Sequence, residues 1–190
     1  MGFTLEDGTG SGKLAGVSED HRLKINAKVA HRMYYCSRDM GDAYTISIIR
    51  AMAANDYSLW IRNDSETHFV IHKIITSSVD ANVEWKLWNT TGQIGATATA
   101  VTPQPTNLTS SLAAQLTVLG LNATVAGLTA HDGQTKLLAT WRNGGANNTV
   151  IFDDFDCFRI GQNQSIMFEY HAGTGGVASI VVFGFYDEIT

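Results

Sequence analysis

Cysteine is scarce in this sequence: Cys36 and Cys157 are the two copies, far apart along 190 residues. A disulfide framework is not indicated, and two thiols fit a protein made in a reducing compartment. There is no N-terminal apolar run of signal-peptide length and no run long enough to span a bilayer. The expectation is therefore a protein that is not secreted by the standard route and has no membrane partner. Basic charge is also short. Lys and Arg number 13 against 18 Asp and Glu, for a net charge of −5. That balance disfavours broad nucleic-acid binding, which needs a basic face. No long amphipathic helix is written into the chain, and no fixed repeat period, so a propeller or solenoid is disfavoured. Proline occurs twice, at Pro103 and Pro105, bracketing one break.

What is present is alternation. Hydrophobic residues make up 44% of the chain, enough for one domain with a full core, or for one domain plus an arm. The strongest folding signal runs from Tyr57 to Ile75. Tyr57, Leu59 and Ile61 fall on one strand face, with Ser58, Trp60 and Arg62 on the other. Asn63 to Thr67 has turn composition. Phe69, Ile71 and Ile75 then share a face, interrupted by Lys73. Alternation on both sides of a polar turn predicts a hairpin. A one-residue slip would turn its apolar set to water, so the register is strongly specified.

Further strands are predicted at Tyr44–Ile48, Val83–Leu87, Leu137–Trp141, Val150–Phe152, Phe155–Ile160 and Ile166–Tyr170, with a weaker one in Ile94–Thr102. Val177 to Tyr186 is apolar on both faces, as in a central strand. Ser110 to Thr129 fits two periods. Leu112, Leu116 and Leu119 have helical spacing, whereas Leu112, Ala114, Leu116 and Val118 alternate; a strand followed by an irregular excursion is the favoured reading. Residues 1–38 differ in texture: glycines at 8, 10, 12 and 16, scattered charge, and few apolar residues before Met33-Tyr34-Tyr35. The expectation is an extended N-terminal arm over 1–38 and an all-β, jelly-roll-like antiparallel sandwich of about eight to ten strands over 39–190.

Candidate chemical motifs fail on their context. Gly8-Thr9-Gly10-Ser11-Gly12-Lys13 suggests a phosphate loop, but Asp7 stands where the first glycine is needed and Leu14 where Ser or Thr should follow the lysine. His68 and His72 have zinc spacing only on a helix. In a strand they lie about 13 Å apart, too far for one ion. Asp153, Asp154 and Asp156 form an acidic cluster that suits calcium in principle, without the glutamate that closes an EF-hand loop. No Gly-x-Ser-x-Gly elbow is present, and neither cysteine has a nucleophile signature. No catalytic residue, cofactor or metal is expected. Asn-x-Ser/Thr sequons recur at Asn63, Asn89, Asn107, Asn122, Asn147 and Asn163 and are read as turn chemistry. Of the four tryptophans, Trp85 belongs with Val83 and Leu87 in the core. Trp60 and Trp88 lie on less apolar faces, where a subunit interface or a carbohydrate platform is the alternative.

Several stretches resemble small structural proteins of tailed-bacteriophage virions. They are the glycine-rich opening Gly8 to Val17 with His21-Arg22-Leu23, Gly41-Asp42-Ala43-Tyr44, Leu59-Trp60-Ile61-Arg62-Asn63-Asp64-Ser65, Gly161-Gln162-Asn163-Gln164-Ser165-Ile166, and Ser179-Ile180-Val181-Val182-Phe183-Gly184-Phe185. The resemblance covers most of the chain and carries no catalytic motif. It implies a jelly-roll body, usually in a homotrimer, that attaches by its arm and one end of the body to the major capsid protein or other virion proteins. A capsid decoration (cement) or head-accessory protein on the capsid exterior, made in the host cytoplasm, is the expected role. A receptor- or glycan-binding module of a tail or fibre is the alternative. The expected subunit contacts are Leu23, Ile25, Met33, Tyr34 and Tyr35 in the arm, and Trp60, His68 and His72 on the second face of the Tyr57–Ile75 segment.

Overall fold

The structure, a computed structural model, describes residues 5–6, 14–17, 23–24, 36–37, 41–90, 98–123, 136–152, 158–172 and 175–187. The chain divides into two compact units, Met1–His31 and Arg32–Thr190. The first holds three short antiparallel strands, β1 (Leu5–Glu6), β2 (Leu14–Val17) and β3 (Leu23–Lys24), in that spatial order.

The second unit is a two-sheet sandwich with no α-helix among its described residues. Its strands are β4 (Ala43–Met52), β5 (Asp56–Asn63), β6 (His68–Ser78), β7 (Glu84–Thr90), β8 (Thr99–Ala100), β9 (Gln104–Pro105), β10 (Leu116–Ala123), β11 (Lys136–Arg142), β12 (Thr149–Phe152), β13 (Phe158–Ile160), β14 (Ser165–Ala172) and β15 (Gly176–Asp187). One sheet has the order β11-β7-β14-β5-β10-β8; the other has β12-β6-β15-β4-β9, with β13 also paired to β6. Every ladder is antiparallel.

The pairing is nested. β4 pairs β15, β5 pairs β14, β6 pairs β12 and β13, and β7 pairs β11. First strand with last, second with second-last, and so inward is the wrap of a jelly roll. The strands exceed the eight to ten expected for two reasons: β12 and β13 share one partner strand, and β8, β9 and β10 are an insertion between β7 and β11. The ambiguous Ser110–Thr129 region supplies β10, which lies along β5 from Leu116↔Asn63 to Ala123↔Tyr57.

This topology overturns the hairpin expected from Tyr57 to Ile75. β5 and β6 are consecutive but unpaired, because they lie in different sheets. Asn63–Thr67 is a corner between the sheets. Asn63 is fully buried there. Its Nδ2 donates to Thr67 O and to Ile160 O, both at 2.8 Å, and its Oδ1 accepts from Ser65 N at 3.0 Å. Since Ile160 ends β13, Asn63 ties the β5–β6 corner to the β13–β14 corner. Asn143 does the same elsewhere: its N donates to Val83 O at 2.9 Å and its Nδ2 to Asn148 O at 3.0 Å, joining the β6–β7 and β11–β12 corners. Among the described residues, the non-glycine ones with positive φ are all asparagines in such corners: Asn55 (66°), Asn82 (64°), Asn147 (57°) and Asn163 (60°). Asparagine tolerates this left-handed backbone better than other side chains. Sequons at Asn63, Asn107, Asn147 and Asn163 thus serve corners and turns; Asn89 and Asn122 lie within β7 and β10.

The core lies between the sheets and includes Tyr44, Ile46, Leu59, Ile61, Trp85, Leu87, Phe168 and Ile180. Trp141 Nε1 donates to Thr76 Oγ1 at 3.0 Å across it. The β6–β15 register shifts between Phe183↔Lys73 and Gly184↔Ile71, leaving His72 as the bulged residue. The bulge reverses the alternation of β6. Phe69 and Ile71 face the core before it and Ile74 after it, so Ile75 points outward, contrary to the face predicted for it.

Candidate interaction surface

The two outer sheet faces have different chemistry. On the β11-β7-β14-β5 face, alternation carries charge outward at Glu84, Lys86, Arg142, Arg62 and Glu169. These groups close on one another. Arg142 donates from Nε (2.9 Å) and Nη2 (2.6 Å) to Glu84 Oε2, a contact that holds the Glu84 carboxyl below its usual range. Arg62 Nε lies 2.6 Å from Asp64 Oδ1, whose other oxygen accepts from Thr117 Oγ1 at 2.6 Å. Glu169 is buried; it accepts from Trp88 Nε1 at 2.6 Å and pairs with His171 Nδ1 at 2.8 Å. Burial, and then the Glu169 carboxylate, push the Tyr57 phenol up.

This geometry decides the fate of the expected contact residues. Trp60 is 1% exposed, packed by Leu121, Met167, Leu119, Tyr57 and Trp88, and its Nε1 donates to Thr90 Oγ1 at 3.2 Å. It is covered by this chain's own insertion strand β10 and is not available to a neighbouring subunit, which corrects its assignment as a subunit contact. His72 is buried at the β6 bulge and His68 is exposed. Leu23 lies in β3. Ile25, Met33, Tyr34 and Tyr35 lie outside the described residues, as do Asp153, Asp154, Asp156, Cys157 and the Gly8–Lys13 stretch. Cys36 is buried with Ala43, Val70 and Phe185, its Sγ 3.7 Å from Tyr186 O.

The outer face of the β12-β6-β15-β4 sheet is the surface that residue-by-residue reading missed. The registers place its outward side chains in four rows. They are Val177 and Ala51 beside Val79; Thr149, Ser77, Ser179 and Ile49; Ile151, Ile75, Val181 and Ser47; and Lys73, Phe183 and Thr45. One charge, Lys73, stands among them. Ile49 is 75% exposed, Ile151 55%, Val79 50% and Val177 48%. Ser77 and Ser179 spend their hydroxyls on each other at 2.7 Å. Past the Lys73 row, the cluster of Cys36, Ala43, Val70 and Phe185 covers the end of the same face. The signal was in β15: a strand in a two-layer sandwich has one core face, so apolar residues on both faces imply that the outer one is used.

A cavity of about 340 Å³ lies between β11, β13 and β14, with Leu138, Phe158, Ile160 and Ile166 in its wall. Its one charged group, Arg159, is paired with Asp187 at 3.3 Å. No acid–base set converges there. Comparison of the sequence with protein-family models and with curated proteins finds no match.

Proposed function

We propose that this protein is a non-enzymatic structural subunit of a virus particle, of the decoration or head-accessory kind found on tailed bacteriophages, acting by surface contact with the major capsid protein or other virion proteins. The observation that carries the reading is an outer sheet face on a jelly-roll body with a single charge, Lys73, among its exposed Val, Ile, Ser and Thr side chains. Exposed apolar patches of this extent mark interaction sites on folded proteins, and the charged groups of the opposite face are already paired with one another. Jelly rolls recur in viral capsid proteins, which is an analogy of fold and not of site. Binding to an assembled lattice would stabilise it by mass action. Against the glycan-binding alternative, Trp60, Trp85 and Trp141 are buried, and the Lys86 ammonium lies over the Trp88 ring, 5.9 Å from its centroid.

The test is fractionation of infected-cell lysate on a density gradient, with the protein followed by antibody. The protein should band with intact particles and label their outer surface in immunoelectron microscopy. Recovery only in the unassembled fractions overturns the reading.

A further inference from the structure

The occupant of the uncharged face can be argued from its composition and size. Four strands about 4.8 Å apart and four outward rows about 6.7 Å apart define a patch of roughly 19 by 27 Å, on the order of 500 Å². That is near the upper end of the largest patch a monomer exposes, and patches of that rank are often functional. Its end is already covered by the chain itself, at the cluster of Cys36, Ala43, Val70 and Phe185, so the face accepts packing where packing is offered.

We propose that a second copy of this chain packs on this face, sheet on sheet, through the rows led by Val177, Ile49 and Ile151. The proposal rests on the same face as the virion reading and names the partner there as a second copy; a chain that stays monomeric yet bands with particles overturns the pair and leaves the virion reading standing. A two-fold contact brings the same surface together from both partners, so it needs a surface that tolerates itself. A charged patch does not, because like charges meet. Here the rows led by Val177, Ile49 and Ile151 hold only Val, Ile, Ala, Ser and Thr, and the chain's net charge of −5 is carried elsewhere. Lys73 sits in the end row, so an axis running across the strands keeps the two ammonium groups at opposite ends of the contact. Two sheets packed this way lie about 10 Å apart with strands crossing at about 30°. Patches of about 500 Å² on each partner bury on the order of 1,000 Å², the lower limit for a specific interface. An interface at that limit predicts a weak, reversible dimer. The stoichiometry is a pair and not the trimer that the resemblance implies.

Sedimentation equilibrium of the purified full chain up to about 200 µM tests this. The expected result is a monomer–dimer equilibrium that weakens at least about tenfold in Ile49→Glu and in Ile151→Glu. Both side chains point to solvent, at 75% and 55% exposure, so the variants should keep the parent unfolding midpoint. Leu108→Glu, at a residue 91% exposed and off this face, should leave the equilibrium unchanged. A chain monomeric at the highest concentration overturns the proposal. So does a complex of three copies, or a dimer that survives both substitutions.

Discussion

Asn63→Ala should cost more stability than any change of similar size on the surface, and the structure gives the amount. The side chain makes three hydrogen bonds, all to backbone: two from Nδ2 to carbonyls of Thr67 and Ile160 at 2.8 Å, one to Oδ1 from Ser65 N at 3.0 Å. Asn63 is fully buried, and the Ile160 and Ser65 bonds are buried with it; the Thr67 carbonyl is partly reachable by water. Each buried backbone group left without a partner costs about 1–3 kcal/mol. Two full losses and one partial one come to about 3–5 kcal/mol, a large share of the roughly 5–15 kcal/mol that holds a domain folded. In urea titrations followed by tryptophan fluorescence, with a slope of about 2 kcal/mol per molar, the midpoint should fall by about 2 M.

Asn63→Asp sharpens the test through pH. One carboxylate oxygen can still accept from Ser65 N, but the other faces two carbonyl oxygens. That site favours the protonated acid, so the folded-state pKa is raised above the unfolded value of about 3.9. A raised pKa gives stability that is present below the unfolded value and lost as pH rises through the folded one. Asn63→Asp should therefore be closer to the parent at pH 4 than at pH 7, while the deficit of Asn63→Ala stays flat. An Asn63→Ala variant within about 1 kcal/mol of the parent would falsify the claim that this side chain stitches two corners together.

Two further outcomes follow from packing and from the tyrosines. A Cβ at Gly184 would overlap the Phe69 ring and stand 2.7 Å from Val70 O, whereas at Gly120 the nearest atoms it would meet are those of the Arg50 guanidinium. Gly184→Ala should cost about 1–3 kcal/mol in the same urea assay and Gly120→Ala less, since a side chain yields where backbone does not; equal losses would contradict this. Burial, above all, raises the phenols of Tyr44, Tyr57, Tyr170 and Tyr186, helped by Asp42 for Tyr44 and by Glu169 for Tyr57. Their protonated state contributes stability that is complete below the unfolded value of about 10 and is lost as pH rises through the folded values. Absorbance at about 295 nm should thus report at most two of the six phenolates before the chain unfolds in alkali; four or more in a chain with native tryptophan fluorescence would refute it.

Local alternation in the sequence was enough for the strands and not for their partners. Tyr57–Arg62 and His68–Ile75 read correctly as strands, because β-branched and aromatic residues alternate with polar ones. Asn63–Thr67 misled because the same asparagine and serine chemistry serves a hairpin turn and a corner between sheets. The choice is made by Ile160, almost a hundred residues away. The phase of Ile75 was lost to a bulge at His72 that nothing local announces. Trp60 was placed on the outward face, which is where it is, yet it is buried, since β10 brings Leu119 and Leu121 over it. That insertion was the one region whose period stayed ambiguous. The uncharged face was half legible: β15 is apolar on both sides, but its neighbours in the outward rows come from β4, β6 and β12, and only the sheet order assembles them.

Nested pairing accounts for where that face falls. In a jelly roll the last strand closes beside the first, so β15 is flanked by β4 and β6 and sits in the middle of its sheet. A middle strand that is apolar on both sides sets the character of the whole outer face, since Ile49 and Ser47 of β4 and Ile75 and Ser77 of β6 stand directly beside its residues. In the other sheet the neighbours β14 and β7 carry the outward residues Glu169, His171, Glu84 and Lys86, which are charged or titratable and pair with one another or with Arg142. Solvation of those groups resists burial, whereas the uncharged face loses little by leaving water. A partner meeting this domain at random therefore gains most by packing on the β15 side, and a charge placed there at Ile49 reverses that preference without touching the core.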